Sequence, residues 1–251
     1  MKYKKGVLLV ARLLLNILAF VLMIVVNYLA NALPLNGLTT GDIANRITVL
    51  FQPAGYVFSI WSLIYLLLGI WIIRQIPKSR RNLPIYVNTS SLFVLSCLLN
   101  SAWVVLWHYG FWVTTVAVMV GLLCTLIALY LKMRASNPGK LDLATFSIYL
   151  GWISVATIAN ISYVLVELGW DGFGLSAVTW TVIMLVVATL LAVWFRMSND
   201  DWLYPLVFVW AFIGIGVKNM AEYSEVSYVA YALAAVILVM TVLGGFIKKK
   251  G

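Results

Sequence analysis

The chain has 251 residues, 64% of them hydrophobic and only 10% charged, with a mean hydropathy of +1.02. A soluble domain is roughly 45–50% apolar and about a quarter charged, so this composition excludes an ordinary soluble enzyme or binding module. The net charge of +9 does not point to nucleic acid, because the Lys and Arg residues fall almost wholly between long apolar runs, where they act as topology signals.

In lipid every backbone N–H and C=O must be satisfied within the protein, which leaves helices or a closed barrel. A barrel shows short segments of alternating hydrophobicity. Here the apolar runs are continuous and near the ~20 residues a helix needs to cross the hydrocarbon. The pattern predicts an all-α integral membrane protein with eight spans, at residues 7–33, 55–73, 86–107, 111–131, 143–168, 173–195, 202–217 and 226–247. The first span begins like a signal peptide and carries Ala30-Asn31-Ala32, which resembles a cleavage site. Its apolar run exceeds the ~7–15 residues of an h-region, and it is read as a retained helix. Residues 36–55 form a longer loop in which Thr39 and Thr40 could cap a short helix, with Asp42 and Arg46 paired at i, i+4. Ile43, Ile47, Leu50 and Phe51 would be its apolar face, laid on the membrane surface as a lid or a plain interfacial helix.

Eight spans sort the basic residues sharply. Lys2, Lys4, Lys5 and Arg12; Arg74, Lys78, Arg80 and Arg81; Lys132, Arg134 and Lys140; Arg196; and Lys248, Lys249 and Lys250 fall on one side, leaving Arg46 and Lys218 on the other. Fifteen of seventeen on one side is the positive-inside pattern, and it predicts a multi-pass protein with both termini cytoplasmic.

The reactive inventory is thin. Cys97 and Cys124 lie inside apolar runs and read as small buried hydrophobes. With one His in the chain, a metal cluster is not expected, and His108, between Trp107 and Tyr109, reads as part of an interfacial aromatic belt. Glu167 reads as an interfacial carboxylate one turn from Tyr163. No ionisable side chain sits mid-membrane, which argues against a proton-coupled transporter or pump. No catalytic constellation and no phosphate loop is visible.

Aromatic and amide residues stand out instead. Asn16, Asn27 and Asn31 share one face of the first span, since eleven residues is about three turns. Trp61 and Tyr65 are i, i+4; Asn100 and Trp103 are i, i+3; Trp152, Ala156 and Asn160 are i, i+4, i+8. An amide facing lipid is costly, so these faces should turn inward. They either glue helices together or line an uncharged, aromatic-walled pocket for a flat, largely apolar ligand.

The same residues carry a resemblance. Pro53-Ala54-Gly55-Tyr56-Val57-Phe58-Ser59-Ile60-Trp61-Ser62-Leu63-Ile64-Tyr65, Leu99-Asn100-Ser101-Ala102-Trp103 and Tyr149-Leu150-Gly151-Trp152-Ile153-Ser154-Val155-Ala156-Thr157-Ile158-Ala159-Asn160 resemble, in order, motifs of the second, third and fifth helices of the TspO/MBR family, the tryptophan-rich sensory and translocator proteins. The resemblance covers residues 7–165. It implies a five-helix domain over residues 1–168 followed by three additional spans in residues 169–251. It also implies a pocket for porphyrins, sterols or similar ligands at Trp61, Tyr65, Asn100, Trp103, Trp152, Ala156 and Asn160. Trp-dependent porphyrin breakdown is the enzymatic activity it implies. No cofactor is required, a porphyrin or haem being a ligand, and a homodimer is open. The chain departs from the family in its first loop, which has no Trp between Asn36 and Gln52, and in its three extra helices, where Gly214, Gly216, Gly244 and Gly245 read as close-packing positions. No internal repeat supports an inverted-repeat transporter. The expected function is a membrane receptor or carrier for a hydrophobic planar ligand, with a small-molecule transporter or a structural protein holding a vestigial pocket as alternatives.

Overall fold

A computed structural model describes residues 2–33 and 35–247, with side chains for 7–33 and 35–244. The basic residues Lys248, Lys249 and Lys250 lie outside the described residues, as do the side chains of Lys2, Lys4 and Lys5 and the surroundings of Gly245. The described residues form ten α-helices and no strand: α1 (Lys2–Ala32), α2 (Thr40–Asn45), α3 (Ile60–Ile73), α4 (Lys78–Arg81), α5 (Pro84–His108), α6 (Trp112–Ala135), α7 (Lys140–Glu167), α8 (Ala177–Asn199), α9 (Leu203–Asn219) and α10 (Ser224–Ile247). Seven stretches are long and apolar enough to cross a bilayer: Val7–Ala32, Gly55–Ile73, Pro84–His108, Trp112–Ala135, Lys140–Glu167, Ala177–Asn199 and Ser224–Gly244. The eighth predicted span is α9, an apolar helix of 17 residues. At 1.5 Å per residue it reaches about 25 Å, short of the ~30 Å hydrocarbon. The protein is a multi-pass helical membrane protein.

Local chemistry sets the helix ends. Pro84 opens α5, where its missing N–H is harmless. Ser176 caps α8 by accepting from the Thr179 amide at 3.1 Å. Asp200 ends α8 in the left-handed region at φ 52. The Thr39–Asp42 pair is a reciprocal capping box: Thr39 Oγ1 accepts from the Asp42 amide at 3.1 Å, and Asp42 Oδ2 accepts from the Thr39 amide at 2.9 Å. Asp42 is thus engaged with its own cap rather than with Arg46, and α2 stops at Asn45, before most of the apolar face expected of it.

The chain divides into two compact units, residues 1–43 with 61–150, and residues 44–60 with 151–251. In the first, α1 packs on α5 and α5 on α6. Its core holds a ring cluster around Trp71, with Phe93 at 4.8 Å, Phe146 at 5.2 Å and Tyr86 at 5.5 Å between centroids. A buried polar triad joins α1, α5 and the turn that follows α3: Asn16 donates to Gln75 Oε1 at 3.0 Å, and Ser90 donates to Asn16 Oδ1 at 2.7 Å.

In the second unit α8, α9 and α10 pack on one another. Tyr204 stacks on Phe195 at 3.7 Å and donates its hydroxyl to Ser154 Oγ at 2.9 Å. Gly151 sits against Tyr204 O and Val207, where a Cβ would stand 3.0–3.1 Å away. Gly216 faces the Tyr231 ring on α10 and Gly244 faces Met197 and Arg196 on α8, so both glycines serve close helix contact. Gly214 admits a different neighbour, Pro53 and Val57 in the segment that leads into α3, with no room for a Cβ.

Candidate functional site

The predicted site residues fall in both units. In the first, the i, i+4 spacing of Trp61 and Tyr65 on α3 brings their rings into a stack, centroids 5.4 Å apart and planes 24° apart. Tyr149, fully buried, meets Trp61 edge-on at 6.0 Å and lies beside Asn100. Asn100, 2% exposed, accepts from Asn27 Nδ2 at 2.8 Å. Trp61, Tyr65, Tyr149 and the Asn27–Asn100 pair therefore form an aromatic and amide cluster built from uncharged groups. Trp103, half-buried, stacks on Trp107 at 5.2 Å, and Trp112 closes on Trp107 edge-on.

In the second unit Trp152 meets Phe58 edge-to-face at 5.6 Å and is 1% exposed. Asn160, two turns further along α7, is buried, with Ala156 half-buried between them. Phe58 belongs to a segment held by α9: Trp210 Nε1 donates to Val57 O at 3.0 Å, Asn219 Nδ2 to Leu50 O at 2.9 Å, and the Ala54 amide to Gly214 O at 3.1 Å. At the end of α7 Glu167 takes an ion pair from Arg46, and this contact holds the Arg46 guanidinium above its ordinary range.

Sequence reasoning misplaced some partners and missed others. The three asparagines of α1 part company: Asn16 joins the buried triad, Asn27 reaches Asn100, and Asn31 is exposed and donates to its own helix at Asn27 O. His108 is not an interfacial belt residue but a buried clamp, 3% exposed. Its Nδ1 lies 3.1 Å from Leu35 O and its Nε2 2.9 Å from Thr40 Oγ1. A carbonyl only accepts, so Nδ1 carries the proton, and in the neutral ring Nε2 takes the Thr40 hydroxyl. The Thr39–Asp42 box beside it holds the Asp42 carboxyl below its usual range, through the Thr39 hydroxyl first and the Thr39 amide second. Gln75, Ser90, Tyr149 and Phe58 went unremarked as contact residues. Arg74 and Asp142 stand just outside the predicted spans, yet they pair at 3.1 Å with Asp142 almost fully buried. Their positions just after one apolar run and just before another were the available signal.

The fold and these clusters define a multi-pass helical membrane protein whose buried polar side chains are chiefly amides and hydroxyls among aromatic rings. The chain belongs to the TSPO-like protein family, whose model matches residues 13–243. The match reaches through α8 and α9 into α10, beyond the segment that carries the motifs. No curated protein and no solved structure matches the chain.

Proposed function

We propose that this protein is a membrane receptor or carrier for a flat, hydrophobic ligand such as a porphyrin or sterol, acting without classical catalysis. The observation that carries this reading is the Trp61–Tyr65 stack, flanked by Tyr149 and by the Asn27–Asn100 amide pair. Stacked rings offer a planar macrocycle about 0.5–1.5 kcal/mol per ring pair beyond area burial, and an amide orients its polar substituents at roughly 1 kcal/mol. Ligand contact is assigned to Trp61, Tyr65, Asn100 and Trp103 in the first unit and to Trp152, Ala156 and Asn160 in the second. Family membership supports the assignment. No metal or prosthetic group is required.

The test is a titration of purified protein with protoporphyrin, haem and a sterol, read by tryptophan fluorescence. Saturable quenching in the micromolar range, about −8 kcal/mol, is expected for at least one. Light- and oxygen-dependent product formation would add porphyrin breakdown to binding, and flux across proteoliposomes would make the protein a transporter.

A second reading, a structural membrane protein with a vestigial pocket, is favoured by the burial of Trp152, which is only 1% exposed. Absence of saturable quenching by all three probes would put it ahead. Placement in the cell membrane with both termini cytoplasmic belongs to the same proposal; the charge asymmetry supports the orientation, and the family resemblance supports the membrane, with a mitochondrial outer membrane as the alternative. Reporter fusions after Arg81 and Lys140 are expected inside, and fusions near Arg46, His108 and Asp171 outside. A cytoplasmic reporter at Asp171 would overturn that orientation. Sedimentation in detergent distinguishes a monomer from a homodimer.

A further inference from the structure

Near the start of α1, Val7, Val10, Ala11 and Leu14 recur at i, i+3, i+4 and i+7 and stand on one face. With Leu9 they line a groove of about 640 Å³, and its remaining lining residues are Lys78 and Arg81 of α4. The groove thus runs from an aliphatic wall to a pair of cations. A third cation is tied to the same end, since Arg12 donates to the Arg81 carbonyl at 2.9 Å. The Arg81 guanidinium is held in place by the carbonyls of Gln75 and Ile76. Among the described residues the ion pairs are Arg46–Glu167, Arg74–Asp142 and Arg196–Asp200. No carboxylate therefore neutralises Arg12, Lys78 or Arg81.

We propose that this groove is a site for a phospholipid with an anionic headgroup, its acyl chain lying on Val7, Val10 and Leu14 and its phosphate between Lys78 and Arg81. The aliphatic wall alone accepts any lipid, because every acyl chain is as apolar as Val or Leu. Selection comes from the uncompensated charge. A basic side chain close to an anionic membrane surface favours the acidic lipid by about five-fold.

Native mass spectrometry of the full chain in detergent, with equal amounts of phosphatidylglycerol and phosphatidylcholine, tests the proposal. Phosphatidylglycerol is expected to stay bound in at least about five-fold preference. Lys78→Glu is expected to abolish that preference, while Lys132→Glu, at the end of α6, leaves it intact. Lys78 is exposed, so its reversal is compatible with folding, which an unchanged melting curve verifies; Lys78→Gln provides a milder variant expected to lower the preference without abolishing it. Equal retention of the two lipids, or a preference that survives Lys78→Glu, overturns the site. Displacement by inorganic phosphate at matched concentration would also overturn it, since it would make the cations a free-anion site rather than a lipid site.

Discussion

The two units satisfy their buried polar groups in different ways. In the first, side chains pair mostly with side chains, Asn16 with Gln75 and Ser90, Asn27 with Asn100, Arg74 with Asp142, although His108 serves the Leu35 carbonyl. In the second, beside the Tyr204–Ser154 side-chain pair, side chains of α9 serve the backbone of the segment before α3: Asn219 on Leu50 O and Trp210 on Val57 O, the latter in a short 3-10 turn. The reason is where spare backbone groups lie. A helix consumes most of its own N–H and C=O groups, so a polar side chain between helices bonds another side chain or shares a carbonyl one turn back in its own helix, as Asn27 does at Met23 O. Residues 46–54 are not helical, and their carbonyls need donors that only neighbouring helices can supply. A polar residue in an apolar helix therefore reports two different things, a cross-helix partner or an irregular segment packed nearby.

The largest effect should come from filling the close approach in the second unit. Gly214→Ala puts a Cβ into Val57 and Pro53, and overpacking of this kind costs about 1–3 kcal/mol. A clear drop in the detergent melting temperature is expected, with extra protease cleavage in residues 46–58; an unchanged melting curve would mean that the stretch is not held against α9.

Next comes the triad of the first unit. Asn16→Ala strands Gln75 and Ser90, for about 1–2 kcal/mol in a membrane setting. The triple replacement Asn16→Leu, Gln75→Leu, Ser90→Ala removes all three polar groups and should recover most of that loss. If the triple variant is as unstable as the single, packing rather than pairing is what Asn16 provides.

His108→Ala removes two bonds to residues 35–40 and should cost about 1 kcal/mol, seen as faster hydrogen exchange in residues 35–45. The smallest effect is acid loosening of the same loop. The folded Asp42 carboxyl lies below its usual range, so its contribution is present above the ordinary value near ~3.9 and is lost as pH falls through the lowered folded value. Carbon-detected titration of Asp42 checks the direction; a titration at or above the ordinary value would contradict the capping box.

Much of the fold was legible because the bilayer imposes length and continuity on its helices. Apolar runs and basic loops place the spans, α9 being the exception whose 17 residues leave its depth unresolved by length alone. Helical periodicity also placed Trp61 on Tyr65. Partners across the chain were not legible: nothing in the spacing of Asn16, Asn27 and Asn31 says that they diverge to three different acceptors or donors. His108 was misread because its neighbours Trp107 and Tyr109 mimic a belt, while its partners Leu35 and Thr40 lie some seventy positions away in the chain. The role of α9 was hidden for the same reason, since Trp210, Gly214 and Asn219 meet residues 50–58 only through the fold.

The assignment of ligand contact to the uncharged cluster of the first unit is met most directly by comparing protoporphyrin binding in the wild-type protein and in Trp61→Ala. Losing one stacked partner of up to about 1.5 kcal/mol predicts a Kd raised roughly ten-fold, with Trp61→Phe weakened less and the melting temperature little changed. Saturable binding with the same Kd in wild type and Trp61→Ala would contradict it.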